Sequence, residues 1–127
     1  MALPDLLLVG AQKAGTTSLH HYLGQHPRLA FASDKEPGYF SWPDERHAVG
    51  PGRRAPAGAE LAAYQGLFRE AAELRREAGP CVLGDASTAY LYAPGAAARA
   101  RALVPAAKIV VLLRQPAERA FSNWLHA

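Results

Sequence analysis

Apolar residues gather in short unbroken runs along this chain, and stretches of helical spacing separate those runs. Residues 6–9 read Leu-Leu-Leu-Val, the pattern of a strand buried on both faces of a parallel sheet. Residues 17–24 change period. Leu19, Tyr22 and Leu23 stand at i, i+3 and i+4, and Gly24 with Pro27 stops the helix. A short second strand is predicted over residues 29–32. Helical spacing returns over residues 59–78, with Leu61, Tyr64, Phe68 and Ala71 on one face, Glu and Arg on the other, and Gly79-Pro80 as the stop. Residues 81–83 predict a strand ending at Gly84-Asp85. Pro94 opens an alanine-rich helix to about Leu103, and residues 108–113 (Lys-Ile-Val-Val-Leu-Leu) give the strongest strand signal. Pro116 opens a last helix that runs on to Ala127.

Alternating strands and helices predict an α/β fold, a three-layer sandwich with a central parallel sheet and right-handed crossovers. Ligands of such sheets bind outside the carboxyl ends of the strands. One stretch breaks the alternation. Residues 41–58 carry Pro43, Pro51 and Pro56, three glycines, and Arg46, Arg53 and Arg54, which predicts a long Pro/Gly/Arg-rich loop. With 127 residues, 50% of them hydrophobic and 20% charged, the chain is expected to form a single globular domain over 1–127.

The formal net charge of +3 suits an anionic ligand. It is too small to argue for nucleic acid, and no basic block, zinc-finger spacing or aromatic RNP motif supports that partner. Cys81 is the single cysteine, so no intrachain disulfide can form. The run at 6–9 is too short to span a membrane and lacks the flanks of a secretory signal, so a cytoplasmic location is the expectation. The five histidines show no metal-ligand spacing, and no metal site is expected.

Chemistry concentrates where the first strand meets the first helix. Gly10-Ala-Gln-Lys-Ala-Gly-Thr-Thr-Ser18 is a strand–turn–helix element whose amides and helix N-terminus converge on an anion, favoured by roughly 0.3–1 kcal/mol from the helix dipole. Gly10 and Gly15 keep the spacing of the ATPase loop, G-x-x-x-x-G-K-[ST], but Thr16 stands where its lysine belongs. The loop's own lysine is Lys13. The strongest strand ends in Arg114, where a magnesium-nucleotide enzyme would place an aspartate. Arg114 and Ser122, eight residues on along the last helix, could together hold a second phosphate. A third strand end carries Lys35-Glu-Pro-Gly-Tyr-Phe40, where Glu36 could serve as a general base worth typically ~10²–10⁴-fold.

Four segments in this order resemble the sulfotransferases that use 3′-phosphoadenosine 5′-phosphosulfate (PAPS), closest to the bacterial and heparan-sulfate-type branch. They are residues 10–18, Lys35-Glu-Pro37, Gly84-Asp-Ala-Ser-Thr-Ala-Tyr90 and Leu113-Arg-Gln-Pro-Ala-Glu-Arg-Ala-Phe-Ser122. The resemblance implies that the cofactor is PAPS, cradled by Gln12, Lys13, Ala14, Gly15, Thr16, Thr17 and Ser18, with Arg114 and Ser122 on its 3′-phosphate. It implies that Lys13 contacts the bridging oxygen, that Glu36 is the catalytic base, and that no metal is required. The implied acceptor bears a hydroxyl or amine, as a carbohydrate, lipid glycan or small metabolite. Members of the family are longer, so the expectation is an N-terminal, cofactor-binding half, with a homo-oligomer left open. Two other classes stay open: a P-loop kinase or NTPase, for which Asp85 is the sole candidate metal ligand, and a non-catalytic nucleotide-binding fragment.

Overall fold

A computed structural model describes residues 2–41 and 59–125; residues 42–58, most of the Pro/Gly/Arg-rich stretch, lie outside the described residues. Four strands, β1 (Leu6–Gly10), β2 (Leu29–Phe31), β3 (Val82–Ala86) and β4 (Lys108–Val111), form one sheet. All its pairs are parallel, in the order β2-β3-β1-β4. Between them run α1 (Thr16–Gly24), α2 (Ala59–Gly66), α3 (Arg69–Ala78), a 3₁₀ turn (Thr88–Leu91) and α4 (Ala96–Leu103), with α5 (Pro116–Leu125) last.

The two faces of the sheet follow from strand alternation. Leu7 and Val9 of β1 join Leu83 of β3 in a core with Phe40, Tyr64, Phe68, Ala71, Tyr90, Ala96 and Ala100, so α2, α3 and α4 lie on that side. Leu7 is paired in register with Asp85, which therefore faces the same way. On the opposite face Phe31 lies over Gly84, and His20 of α1 stacks on Phe31 with ring centroids 4.2 Å apart. The sheet is thus the middle layer between helices. Leu7, Leu8, Leu83 and Phe68 are fully buried, each stabilising the fold by about 1.5–3 kcal/mol.

Several boundaries differ from the pattern-based expectation. The helix predicted over 59–78 is two helices. Gly66 weakens the ladder, Phe68 turns into the core, and the Leu67 carbonyl accepts from the Ser33 N–H beyond β2 instead of closing a helical turn. Strand β3 does not stop before Gly84-Asp85 but runs through it, because Gly84 leaves room for the Phe31 ring and Asp85 finds buried partners. The strand with the strongest signal is the edge strand: β4 ends at Val111, with Ile109 57% and Val111 43% exposed. Helix α4 starts at Ala96 behind a left-handed Gly95, two residues after Pro94.

Candidate functional site

The loop that follows β1 is tied to the chain that follows β4. Ala11 N–H donates to the Leu112 carbonyl (2.6 Å), and Leu112 N–H donates to the Gly10 carbonyl (2.7 Å). Arg114 then reaches back, its Nη1 donating to the Lys13 carbonyl at 3.1 Å while Nε lies 3.7 Å from the Glu118 carboxylate. Residues about a hundred positions apart thereby meet at one sheet edge. Gly15 caps α1 in the left-handed region (φ 97°), offers no side-chain cap, and is followed by no acidic residue in the first turn. The opening amides of α1 are thus orphan donors at the positive end of its dipole. That fits an anion and would not fit a capped, self-satisfied helix start.

Thr16 is buried, Gln12, Thr17 and Ser18 are exposed, and Lys13 and Ala14 are half-buried. Ser122 sits half-buried on α5, and among the described residues no hydrogen bond joins it to another candidate residue. The loop and Arg114 are brought together; Ser122 is placed on the neighbouring helix without direct contact.

Glu36 stands on the loop after β2 and is fixed from several sides. Its N–H donates to the Ala86 carbonyl at the end of β3 (3.1 Å), and its Oε2 accepts the Thr88 N–H at 2.7 Å. Oε1 has only a 3.3 Å contact with the Thr88 hydroxyl, which leaves most of its lone-pair capacity open. Two residues on, Gly38 N–H donates to Ser87 Oγ (2.9 Å), whose hydroxyl donates to Asp85 Oδ1 (2.7 Å). Asp85 Oδ2 in turn accepts from Tyr64 (2.6 Å) and Tyr90 (2.7 Å).

Asp85 is fully buried. Burial pushes its carboxyl above the usual carboxylate range, against the three hydroxyl hydrogen bonds that favour its charged form. The same burial, together with the Asp85 charge, pushes the Tyr64 and Tyr90 phenols up. Asp85 is therefore a structural hub beneath the Glu36 loop, as its strand position suggests. Phe40 and Tyr90 are core residues, and Tyr39 stacks on Tyr64 at 4.3 Å.

Among the described residues, two that are not glycine hold a left-handed backbone: Lys13 (φ 63°) and Glu36 (φ 60°). Such conformations cost of order 1–3 kcal/mol and collect at functional sites. No periodicity in the sequence signals them. Thr88, the anchor of the Glu36 carboxylate, also escapes a sequence reading; its signal is a Ser-Thr pair directly after the strand that ends in Asp85-Ala86. On the His20 side, burial and the nearby Lys35 ammonium lower the imidazole's basicity. No cluster of three or more metal-ligating side chains occurs among the described residues.

A family model described as "Sulfotransferase family" matches residues 4–127. Membrane-associated sulfotransferase kil1 of Dictyostelium discoideum is 31% identical over 124 residues, covering 98% of this chain and 23% of that protein. The bifunctional heparan sulfate N-deacetylase/N-sulfotransferase 1 of Caenorhabditis elegans is 35% identical over 125 residues, 98% of this chain and 13% of that one. The crystal structure of a sulfotransferase from Alicyclobacillus acidocaldarius superposes with a TM-score of 0.69 at 38% identity, covering 99% of this chain and 50% of its own. The chain thus spans half of that solved structure and less than a quarter of these two curated relatives.

Proposed function

The chain belongs to the sulfotransferase family, and from that premise we propose that its loop after β1 binds PAPS and that the surrounding residues transfer the sulfuryl group to an acceptor. The carrying observation is that Lys13 and Glu36, on different loops, are the two non-glycine residues held in left-handed backbone among those described. The uncapped start of α1 and the amides of residues 12–18 receive the 5′-phosphosulfate. Arg114, anchored on the Lys13 carbonyl, keeps guanidinium donors for the 3′-phosphate, and Ser122 joins it from α5. When bound, the nucleotide would supply an activated sulfuryl group, with 3′,5′-diphosphoadenosine leaving through its 5′-phosphate oxygen.

Lys13 balances negative charge at the bridging oxygen as that bond lengthens, a preorganised contact worth roughly 10²–10³ in rate. Glu36, with Oε2 held by Thr88 and Oε1 free to accept, removes the proton of the attacking group. Neither role calls on a metal ligand from this chain. The acceptor we assign is a carbohydrate hydroxyl or amine, since matched relatives are named for heparan sulfate N-sulfation and carbohydrate sulfation.

Transfer of labelled sulfuryl from PAPS to a panel of desulfated glycosaminoglycans tests the reading. Lys13→Ala and Glu36→Gln are each expected to lose at least about 10²-fold in turnover with thermal stability retained. Full activity in either variant removes that residue from the mechanism.

A further inference from the structure

Lys35 precedes the proposed base, yet its side chain turns toward the nucleotide loop. Its Nζ donates to Thr17 Oγ1 at 2.7 Å, joining the loop after β2 to the second residue of α1. Among the described residues the ammonium meets no carboxylate; the hydroxyl of Thr17 is what it finds. An unpaired ammonium placed on a helix N-terminus is repelled by the positive end of the dipole. Without an anion it is therefore an unfavourable arrangement, and with one it becomes a favourable arrangement. The hydrogen-bond direction adds to this. By accepting from Lys35, Thr17 Oγ1 leaves its own hydrogen free to donate outward, and the charged donor behind it makes that hydroxyl a stronger donor.

We propose that Lys35 and Thr17 act together as a second cationic contact for the 5′-side anion seated at the start of α1, distinct from Lys13 in the loop and Arg114 on the 3′ side. The inference rests on the nucleotide-binding reading above and extends it to a residue that reading leaves unused. Because Lys35 and Glu36 are consecutive, the same contact ties the donor's anionic group to the backbone that carries the base.

The test is calorimetric titration of the whole chain with two probes, 3′,5′-diphosphoadenosine and adenosine 3′-phosphate, which lacks the 5′ group. Lys35→Met is expected to weaken 3′,5′-diphosphoadenosine roughly tenfold, at the low end of a charge-assisted hydrogen bond, and to leave adenosine 3′-phosphate unchanged. Lys35→Arg restores most of the affinity. Thr17→Val lowers it as well, and the double variant Thr17→Val/Lys35→Met loses less than the two single losses combined, because the two groups act as one contact. Unchanged 3′,5′-diphosphoadenosine binding in Lys35→Met overturns the proposal, as does an equal loss for both probes. A wild-type chain that is folded and binds neither probe overturns the nucleotide-binding reading itself, and this inference with it.

Discussion

Replacing Asp85 by alanine removes the acceptor of three buried hydroxyls at once. Tyr64 and Tyr90 donate to one oxygen at 2.6 and 2.7 Å, and Ser87 donates to the other at 2.7 Å. Each buried hydroxyl left without a partner costs about 1–3 kcal/mol, while removing a fully buried carboxylate returns several kcal/mol of desolvation. The net expectation is a loss of about 2–4 kcal/mol, or roughly 10 °C in Tm for a chain of this size. Asp85→Asn behaves differently. Its carbonyl can still accept from both tyrosines and its amide can donate to Ser87 Oγ, so the loss stays within about 1 kcal/mol.

The two variants also separate by pH. A carboxyl whose folded pKa is raised lets the native state bind more protons than the unfolded chain, so its contribution to stability declines as pH rises from the ordinary carboxylate range through the raised value. Asp85→Asn removes that decline. Thermal and urea unfolding followed by circular dichroism between pH 4 and 8 reads both effects. Equal stabilities for the alanine and asparagine variants, or a wild-type curve without the decline, would refute the hub as described.

Lys13→Gly is expected to be as stable as wild type or up to about 1 kcal/mol more stable, because glycine relieves the left-handed strain at φ 63°, while sulfuryl transfer is lost; urea unfolding that shows a clear destabilisation contradicts the strain argument. Gly84→Ala puts a Cβ within 2.7 Å of the Phe31 ring in the middle of the sheet and is expected to cost about 1–3 kcal/mol by overpacking, recovered in part by Phe31→Leu in the same unfolding assay.

Much of this molecule is legible from spacing alone. The apolar runs at 6–9 and 108–113 locate two strands of the sheet, β1 and β4, and the glycines between β1 and α1 mark the turn in which left-handed Gly15 starts the helix without a side-chain cap. What spacing misses is what tertiary contact decides. The pattern over 59–78 reads as one helix because Tyr64, Phe68 and Ala71 keep period; only the Ser33 N–H, arriving from β2, takes the Leu67 carbonyl out of the ladder. Asp85 reads as a strand terminator because aspartate is rare in strands, and the hydroxyls that make its burial tolerable come from α2, from the 3₁₀ turn and from Ser87 just before that turn. The same holds at the site. Glu36 is recognisable as a carboxylate at a strand end, but its left-handed backbone has no signature in the local pattern, and its clasp by Thr88 comes from 52 positions away. Strand β4 illustrates the converse: a β-branched run signals a strand, yet its hydrophobicity does not say that it lies at the sheet edge.

The central claim is a nucleotide site made by the loop after β1 together with Arg114. Its most direct test is calorimetric titration of the chain with 3′,5′-diphosphoadenosine, compared with ATP in the presence and absence of magnesium, in wild type and in Arg114→Ala. The account predicts metal-independent binding of the diphosphoadenosine that is stronger than that of ATP and falls by at least about tenfold in Arg114→Ala. Preference for magnesium-ATP, or diphosphoadenosine binding indifferent to Arg114, would contradict it.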